Sequence, residues 1–187
     1  MAKEAGITGG RRSSRWRIAG WSIPALLLLL PLVAMRFTDE VNWTASDFVF
    51  AAVLFGSVGL AFEFIVRTSS SLAYRFGAAL AVIATFLTIW VNAAVGMIGS
   101  EDNPYNLLFL GVPLVALAAA IIARFRPAGM AIAMVATAIA QAAVAAGGLT
   151  TDLRGAVLSM ALAGPWLLAA ALFGNAAREQ PSAGAAR

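Results

Sequence analysis

Three polar side chains, Glu63, Asn92 and Gln141, interrupt long runs of apolar residues. An acid in such a run is the usual carrier of a proton or cation, whereas amides there either bond one another or line a polar cavity. Glu63 is followed four residues later by Arg67, in the order that favours an ion pair on a helix. Because Glu63 is one turn from the end of its run, the sequence favours a structural acid paired with Arg67 over an ion carrier.

Two acid pairs in separate polar segments are the other candidates for chemistry. Asp39 and Glu40 precede an asparagine and a tryptophan, and Glu101 and Asp102 precede an asparagine, a proline and a tyrosine. Four carboxylates could hold Ca²⁺ or Mg²⁺ if the two segments met. No EF-hand spacing is present, so solvated acids and helix caps are the favoured interpretation and no metal site is predicted.

Residue types that catalysis usually needs are missing. The chain has no cysteine and no histidine, which excludes disulfides, thiolate or imidazole metal sites, the commonest general base and the cysteine nucleophile. It also has no G-x-S-x-G, Walker or H-E-x-x-H motif. The sequence therefore predicts a protein that is not an enzyme and that needs no cofactor.

The elements that carry these residues are six apolar runs. Of the 187 residues, 61% are hydrophobic and 12% charged, against about 25% charged in soluble domains. The runs cover residues 18–35, 48–66, 76–99, 106–123, 129–149 and 156–173. Each is long enough to cross a bilayer as a helix. The predicted fold is an all-α polytopic membrane protein, a six-helix transmembrane bundle over 18–173 between a basic tail, 1–17, and a C-terminal tail, 174–187.

Charge asymmetry predicts the orientation. If the segments between the runs alternate sides, one side carries eleven basic residues and the other two, Arg36 and Arg154. The positive-inside rule makes the first side cytoplasmic, so both termini are expected inside. The basic balance thus reports topology, and no nucleic-acid partner is predicted. The first run is expected to be a retained span, because no A-x-A cleavage site follows it.

Local signals mark two helix starts. Thr44 and Asp47 have the spacing of a capping box, with aspartate in place of glutamate. Asn103 and Pro104 supply an N-cap and a proline at the first helical position.

Prolines lie inside several runs, and each removes one backbone donor. They are Pro24, Pro31, Pro113 and Pro165. Simple kinks are the favoured interpretation, and the alternative is a broken helix beside a transport site.

Small residues recur every four positions in the fifth run, at Ala138, Ala142 and Ala146. Such a stripe lets helix backbones approach closely, within the bundle or toward a partner. Gln141 is expected to lie away from this stripe, where it can bond Asn92 or line a cavity.

Four segments resemble a functionally uncharacterised family of small multi-pass bacterial membrane proteins. They are MRFTDEVNW at 35–43 with Asp47 and Phe48, WVNAAVG at 90–96, GSEDNP at 99–104 and ARFRP at 123–127. The resemblance covers roughly residues 25–147. It implies a bacterial inner-membrane protein and carries no activity over.

These observations predict a non-enzymatic accessory or structural component of a bacterial inner (plasma) membrane. Its partners would be the lipid bilayer and either a membrane protein or further copies of itself. The alternative is a small solute or cation transporter or channel.

Overall fold

The described chain is helical. The computed structural model describes residue 22 and residues 25–179, apart from the side chains of 66 and 68. Within that part no strand occurs. The helices are α1 (Ala25–Ala34), α2 (Ala45–Thr68), α3 (Leu72–Val95), α4 (Leu107–Ile122), α5 (Pro127–Gly147), α6 (Leu153–Ala161) and α7 (Ala163–Glu179), and a 3₁₀ turn (Pro104–Asn106) precedes α4. The prediction of an all-α polytopic protein is confirmed.

Five segments of the described chain are long and apolar enough to cross a membrane. They are Ala45–Ile65, Leu72–Val95, Pro104–Ile122, Pro127–Gly147 and Leu153–Glu179. The first predicted run is described as the ten-residue helix α1. The remainder of that run before residue 25, apart from Ser22, lies outside the described residues, as do the basic tail and 180–187. Helix α7 continues to Glu179, six residues beyond the predicted end of the last run.

The chain divides into two compact units, Met1–Glu63 and Phe64–Arg187. In the first unit, the start of α2 is held by Asp47, whose Oδ2 accepts from the Thr44 backbone N–H at 2.7 Å and from the Thr44 hydroxyl at 2.8 Å. The first of these bonds is one half of the predicted capping box, namely the bond from the backbone N–H of the cap residue to the acidic side chain three residues later. The rings of Trp43 and Phe48 meet edge to face at 5.2 Å across the same helix start.

The second unit is a bundle of α3 to α7. Helix α7 packs against α3 and α5, and α4 packs against α5 and α3. At one end the Ser71 hydroxyl donates to Glu179 at 2.7 Å, and the Tyr74 hydroxyl donates to the Phe125 carbonyl at 2.9 Å. The start of α3, the α4–α5 connection and the end of α7 therefore lie together.

The opposite end joins the other connections. The Tyr105 hydroxyl donates to the Val144 carbonyl at 2.7 Å, and the Gly99 N–H donates to Asp152 at 3.0 Å. Successive spans of this unit thus alternate direction, as the interpretation of the charge pattern required. We call the first end the basic end, because it carries Arg75, Arg124, Arg126 and Arg178. We call the second the acidic end, because it carries Glu101, Asp102 and Asp152.

Helices α3 and α7 approach closely at a glycine. A Cβ on Gly77 would lie 3.2 Å from Leu172 Cβ and 3.3 Å from the Ala169 carbonyl oxygen. One turn away, Tyr74 meets the ring of Phe173 edge to face at 5.0 Å. Phe173 is fully buried, so this contact anchors the core near the basic end.

The last span is interrupted at Leu162, between α6 and α7. Pro165 explains the position, because it has no N–H to donate to the Ala161 carbonyl and its ring crowds that carbonyl. The Leu162 N–H instead bonds the Ser159 carbonyl at 3.2 Å, in the tighter 3₁₀ pattern. By contrast α4 continues through Pro113 and α1 through Pro31. Pro24 lies outside the described residues.

Candidate functional site at the acidic end

The connection between α3 and α4, residues 96–106, folds around one amide side chain. We call this connection the closing loop. The Oδ1 atom of Asn106 accepts from the backbone N–H of Met97 at 3.0 Å and of Ile98 at 2.8 Å. Its Nδ2 donates to the Ser100 carbonyl at 2.8 Å. Asn106, Met97 and Ile98 are all buried, so this amide satisfies backbone groups that water does not reach.

Two glycines allow the closing loop to turn. Gly96 and Gly99 have φ angles of 74° and 71°, a region that side chains disfavour. At Gly96 a Cβ would also lie 2.6 Å from the Ser100 carbonyl oxygen and 2.7 Å from Asn106 Nδ2. Any larger residue at Gly96 would therefore displace the amide that holds the loop.

The start of α6 is hydrogen-bonded to the closing loop through Asp152. One carboxylate oxygen of Asp152 accepts from the Gly155 N–H at 2.9 Å, which caps α6, and the other accepts from the Gly99 N–H at 3.0 Å. The bonds from Gly155 and then Gly99 lower the pKa of the Asp152 carboxyl. A Cβ on Gly155 would lie 2.6 Å from the Met97 carbonyl oxygen. The glycine thus lets the loop backbone lie directly on α6.

Below the loop, the bundle contains a small uncharged polar core. We define it as Thr88 and Asn92 on α3, Thr137 and Gln141 on α5, and Ser159 on α6, all of them buried. Both threonines donate to the carbonyl one turn earlier in their own helix. None of the five side chains is ionisable in the physiological range, so the core offers hydrogen bonds and no fixed charge.

Gln141 and Ser159 connect α5, α6 and the closing loop. The Gln141 Nε2 donates to the Ser159 carbonyl at 2.9 Å, and the Ser159 hydroxyl donates to the Met97 carbonyl at 3.2 Å. Ser159 lies just before the interruption, where the last carbonyls of α6 lose their helical donors. Gln141 therefore gives the Ser159 carbonyl a second hydrogen bond, in addition to the one from the Leu162 N–H.

Three buried polar atoms have no hydrogen-bond partner within the described residues. They are Asn92 Oδ1, Gln141 Oε1 and Trp166 Nε1. Two are acceptors and one is a donor. Gln141 and Trp166 are fully buried, on α5 and in the first turn of α7. Unpaired groups this deep are costly and need an explanation.

The two amides that the sequence singled out are thus buried at the same end of the bundle. Gln141 bonds the Ser159 carbonyl, and no bond between Gln141 and Asn92 is among the described contacts. Glu63 is half-buried in α2 and Arg67 is exposed, and their pairing stays a prediction. The four acids Asp39, Glu40, Glu101 and Asp102 are exposed. Among the described residues no three acidic side chains are placed to hold a metal ion.

The predicted alanine stripe of α5 winds from the core to the surface. Ala138 is buried, Ala142 half-buried and Ala146 exposed. A spacing of four residues turns about 40° around a helix at each step, which explains the drift. The buried face also contains Gln141, so this side chain lies beside the buried part of the stripe and not away from it.

Sequence reasoning missed Asn106, Asp152, Ser159 and Trp166 as members of this site. Asp152 had a usable signal, because aspartate is a favoured N-cap residue at the start of a helix. The others had none, since their roles depend on contacts between residues far apart in the chain.

Five helical segments, one of them interrupted, are long and apolar enough to cross a membrane, and they define an integral, multi-pass membrane protein. No protein family, no curated protein and no solved structure matches the chain.

Proposed function

We propose that the protein is a non-enzymatic component of a bacterial inner membrane that packs against a second membrane helix through α5. The observation that supports this is a row of small residues on the outward face of α5. Ala136 and Ala143 are exposed and Ala140, between them, is half-buried. These three positions lie within about 60° of one another around the helix, so they share one face on which a second helix can approach closely.

The uncharged polar core agrees with a structural role. Two of its members, Gln141 and Ser159, are hydrogen-bonded to backbone groups of neighbouring segments. Bonds of this kind hold helices together in membranes.

Substitution on the outward row tests the packing proposal. Ala143→Leu should reduce the size of the assembly purified from native membranes in mild detergent, because the larger side chain separates the two helices. Ala118→Leu is the matched control, since Ala118 is also exposed, on α4. A wild-type protein that purifies as a monomer, or an assembly that Ala143→Leu leaves intact, would refute the proposal.

The proposed orientation places the basic end in the cytoplasm. Eleven basic residues against two support it. The chain has no cysteine, so single cysteines at Ser13, Ser100 and Ser182 report each side without background. An impermeant reagent added to intact cells should label only Ser100→Cys. Labelling at either terminal position without Ser100 would reverse the orientation.

The second candidate function is uncoupled transport of a small solute. The interrupted last span favours it, because broken helices flank the binding sites of many transporters. Proteoliposome flux of small neutral solutes tests it, with Asn92→Leu and Gln141→Leu as variants. Flux that both variants abolish would make transport the leading function, and its absence in wild-type vesicles would remove the candidate.

A further inference from the structure

The interruption of the last span brings two unpaired polar groups to the same part of the bundle. Gln141 is directed there by its own bond, because its Nε2 lies 2.9 Å from the carbonyl of Ser159, three residues before Leu162. The Oε1 of the same amide has no partner in the described chain. Trp166 lies four residues after Leu162, and its indole N–H is likewise unpaired.

Helix geometry directs these two groups toward each other. A rise of about 1.5 Å per residue sets Trp166 about 10 Å below Ser159 along the last span. Helical side chains lean toward the N-terminus of their helix. The Trp166 ring therefore leans back toward Ser159, and Gln141, on the antiparallel α5, leans toward the level of Trp166. An oxygen that makes two hydrogen bonds joins groups up to about 6 Å apart.

The chemistry of the two groups is complementary to a hydroxyl. Trp166 Nε1 can only donate, and Gln141 Oε1 can only accept. A hydroxyl accepts one hydrogen bond and donates another, so it satisfies both. A cation would be repelled by the indole N–H, and an anion by the amide oxygen. Both protein groups are fully buried, so bulk solvent does not satisfy them.

We propose that the interruption between α6 and α7 binds a hydroxyl group, which accepts from Trp166 Nε1–H and donates to Gln141 Oε1. The hydroxyl belongs either to an internal water or to a small polyol. The site exists whether or not the protein transports anything, because an internal water would serve a purely structural bundle equally well.

The indole proton of Trp166 is a direct reporter of the site. The full chain, labelled with ¹⁵N at its tryptophan side chains, is studied by NMR in detergent micelles, and Trp166→Phe identifies the resonance. We expect this proton to exchange slowly and to show a cross-peak with bound water. If glycerol is added and the cross-peak moves to the glycerol protons with a saturable shift, the hydroxyl comes from a polyol. If no shift follows, it comes from water.

Two variants separate the site from general packing. Gln141→Leu should abolish the cross-peak, because it removes the acceptor. Asn103→Ala, which removes an amide of the closing loop that bonds Ile98 and Tyr105, should leave the cross-peak unchanged. Gln141→Leu also removes the bond to Ser159, which can unfold the protein. A complementary experiment therefore replaces Trp166 and observes the side chain of Gln141. The chain has only two glutamines, Gln141 and Gln180, so ¹³C at the side-chain carbonyl can be followed in Trp166→Phe.

A shift of the Gln141 carbonyl in Trp166→Phe, together with the cross-peak in the wild type, would establish the shared hydroxyl. A Trp166 proton with no cross-peak to water or to glycerol would overturn the proposal. So would a cross-peak that persists in folded Gln141→Leu.

Discussion

Removing the Asn106 side chain should open the closing loop and destabilise the bundle. In Asn106→Ala the backbone N–H groups of Met97 and Ile98 lose the oxygen that accepts from them at 3.0 and 2.8 Å. Met97 and Ile98 are 4% and 0% exposed, so water does not replace that acceptor without the loop opening. The variant therefore either leaves two buried donors unpaired or loses the packing of both side chains.

The expected loss in the free energy of unfolding follows from those two donors. Each buried group left without a partner costs about 1–3 kcal/mol, which gives roughly 2–6 kcal/mol for the pair. The Ser100 carbonyl adds little, because Ser100 is exposed and water can solvate it. We expect a loss near 3 kcal/mol, since partial opening relieves the worst case. For a chain of this size that corresponds to a Tm lower by about 6–12 °C.

Denaturation in mixed detergent and SDS micelles, followed by circular dichroism, measures the free energy directly. Asn103→Ala is the graded comparison. Asn103 caps the turn through the Tyr105 N–H at 3.0 Å and donates to the Ile98 carbonyl at 3.0 Å, and losing a cap costs about 1 kcal/mol. If Asn106→Ala costs no more than Asn103→Ala, the buried N–H groups are not what this amide stabilises, and the reasoning fails.

Three further perturbations have expected outcomes. The lowered pKa of Asp152 means that its carboxylate adds stability above the unfolded value of about 3.9, and this stability is lost as the pH falls through the folded pKa. The thermal unfolding temperature should therefore fall more steeply between pH 7 and pH 3 for the wild type than for Asp152→Asn. Gly77→Leu should cost about 1–3 kcal/mol by overpacking α3 against α7, whereas Gly111→Ala, with no atom within 4 Å of its Cβ position, should be neutral or stabilising by up to about 1 kcal/mol. A similar loss in both glycine variants would contradict the close approach at Gly77. Glu63→Gln should lower stability modestly and leave any pH-dependent activity unchanged, and a shifted pH profile in a flux assay would instead make Glu63 an ion carrier.

The positions of the helices were largely available from the sequence. Apolar runs place α2 to α5 within a few residues of where they occur, because lipid requires about 20 apolar residues per crossing. The alternation of basic and acidic connections also anticipated which ends of α3 to α7 lie together. Both signals are properties of single segments, so neither needs knowledge of contacts.

The details of the site were harder to predict because they depend on pairs of distant residues. Pro165 signalled a disturbance of the last span, but Pro113 gave the same signal and α4 is uninterrupted. The regular spacing of Ala138, Ala142 and Ala146 suggested one face, yet the helical drift carries the third of them to the surface. No local pattern marks Gln141 as the donor for Ser159, which is 18 residues away.

The contacts of the last span have a consequence for how the protein is assembled during synthesis. The Gly99 N–H obtains its acceptor from Asp152, 53 residues later. Ser71 obtains its partner from Glu179, 108 residues later. Helices enter the membrane in the order in which the ribosome makes them, so α3, α4 and α5 are already inserted while both ends of their bundle lack these bonds. The span of α6 and α7 is made after them, and it closes the acidic end through Asp152 at its start and the basic end through Glu179 at its end. A chain that stops short of residue 152 retains its earlier spans but has neither of these two hydrogen bonds.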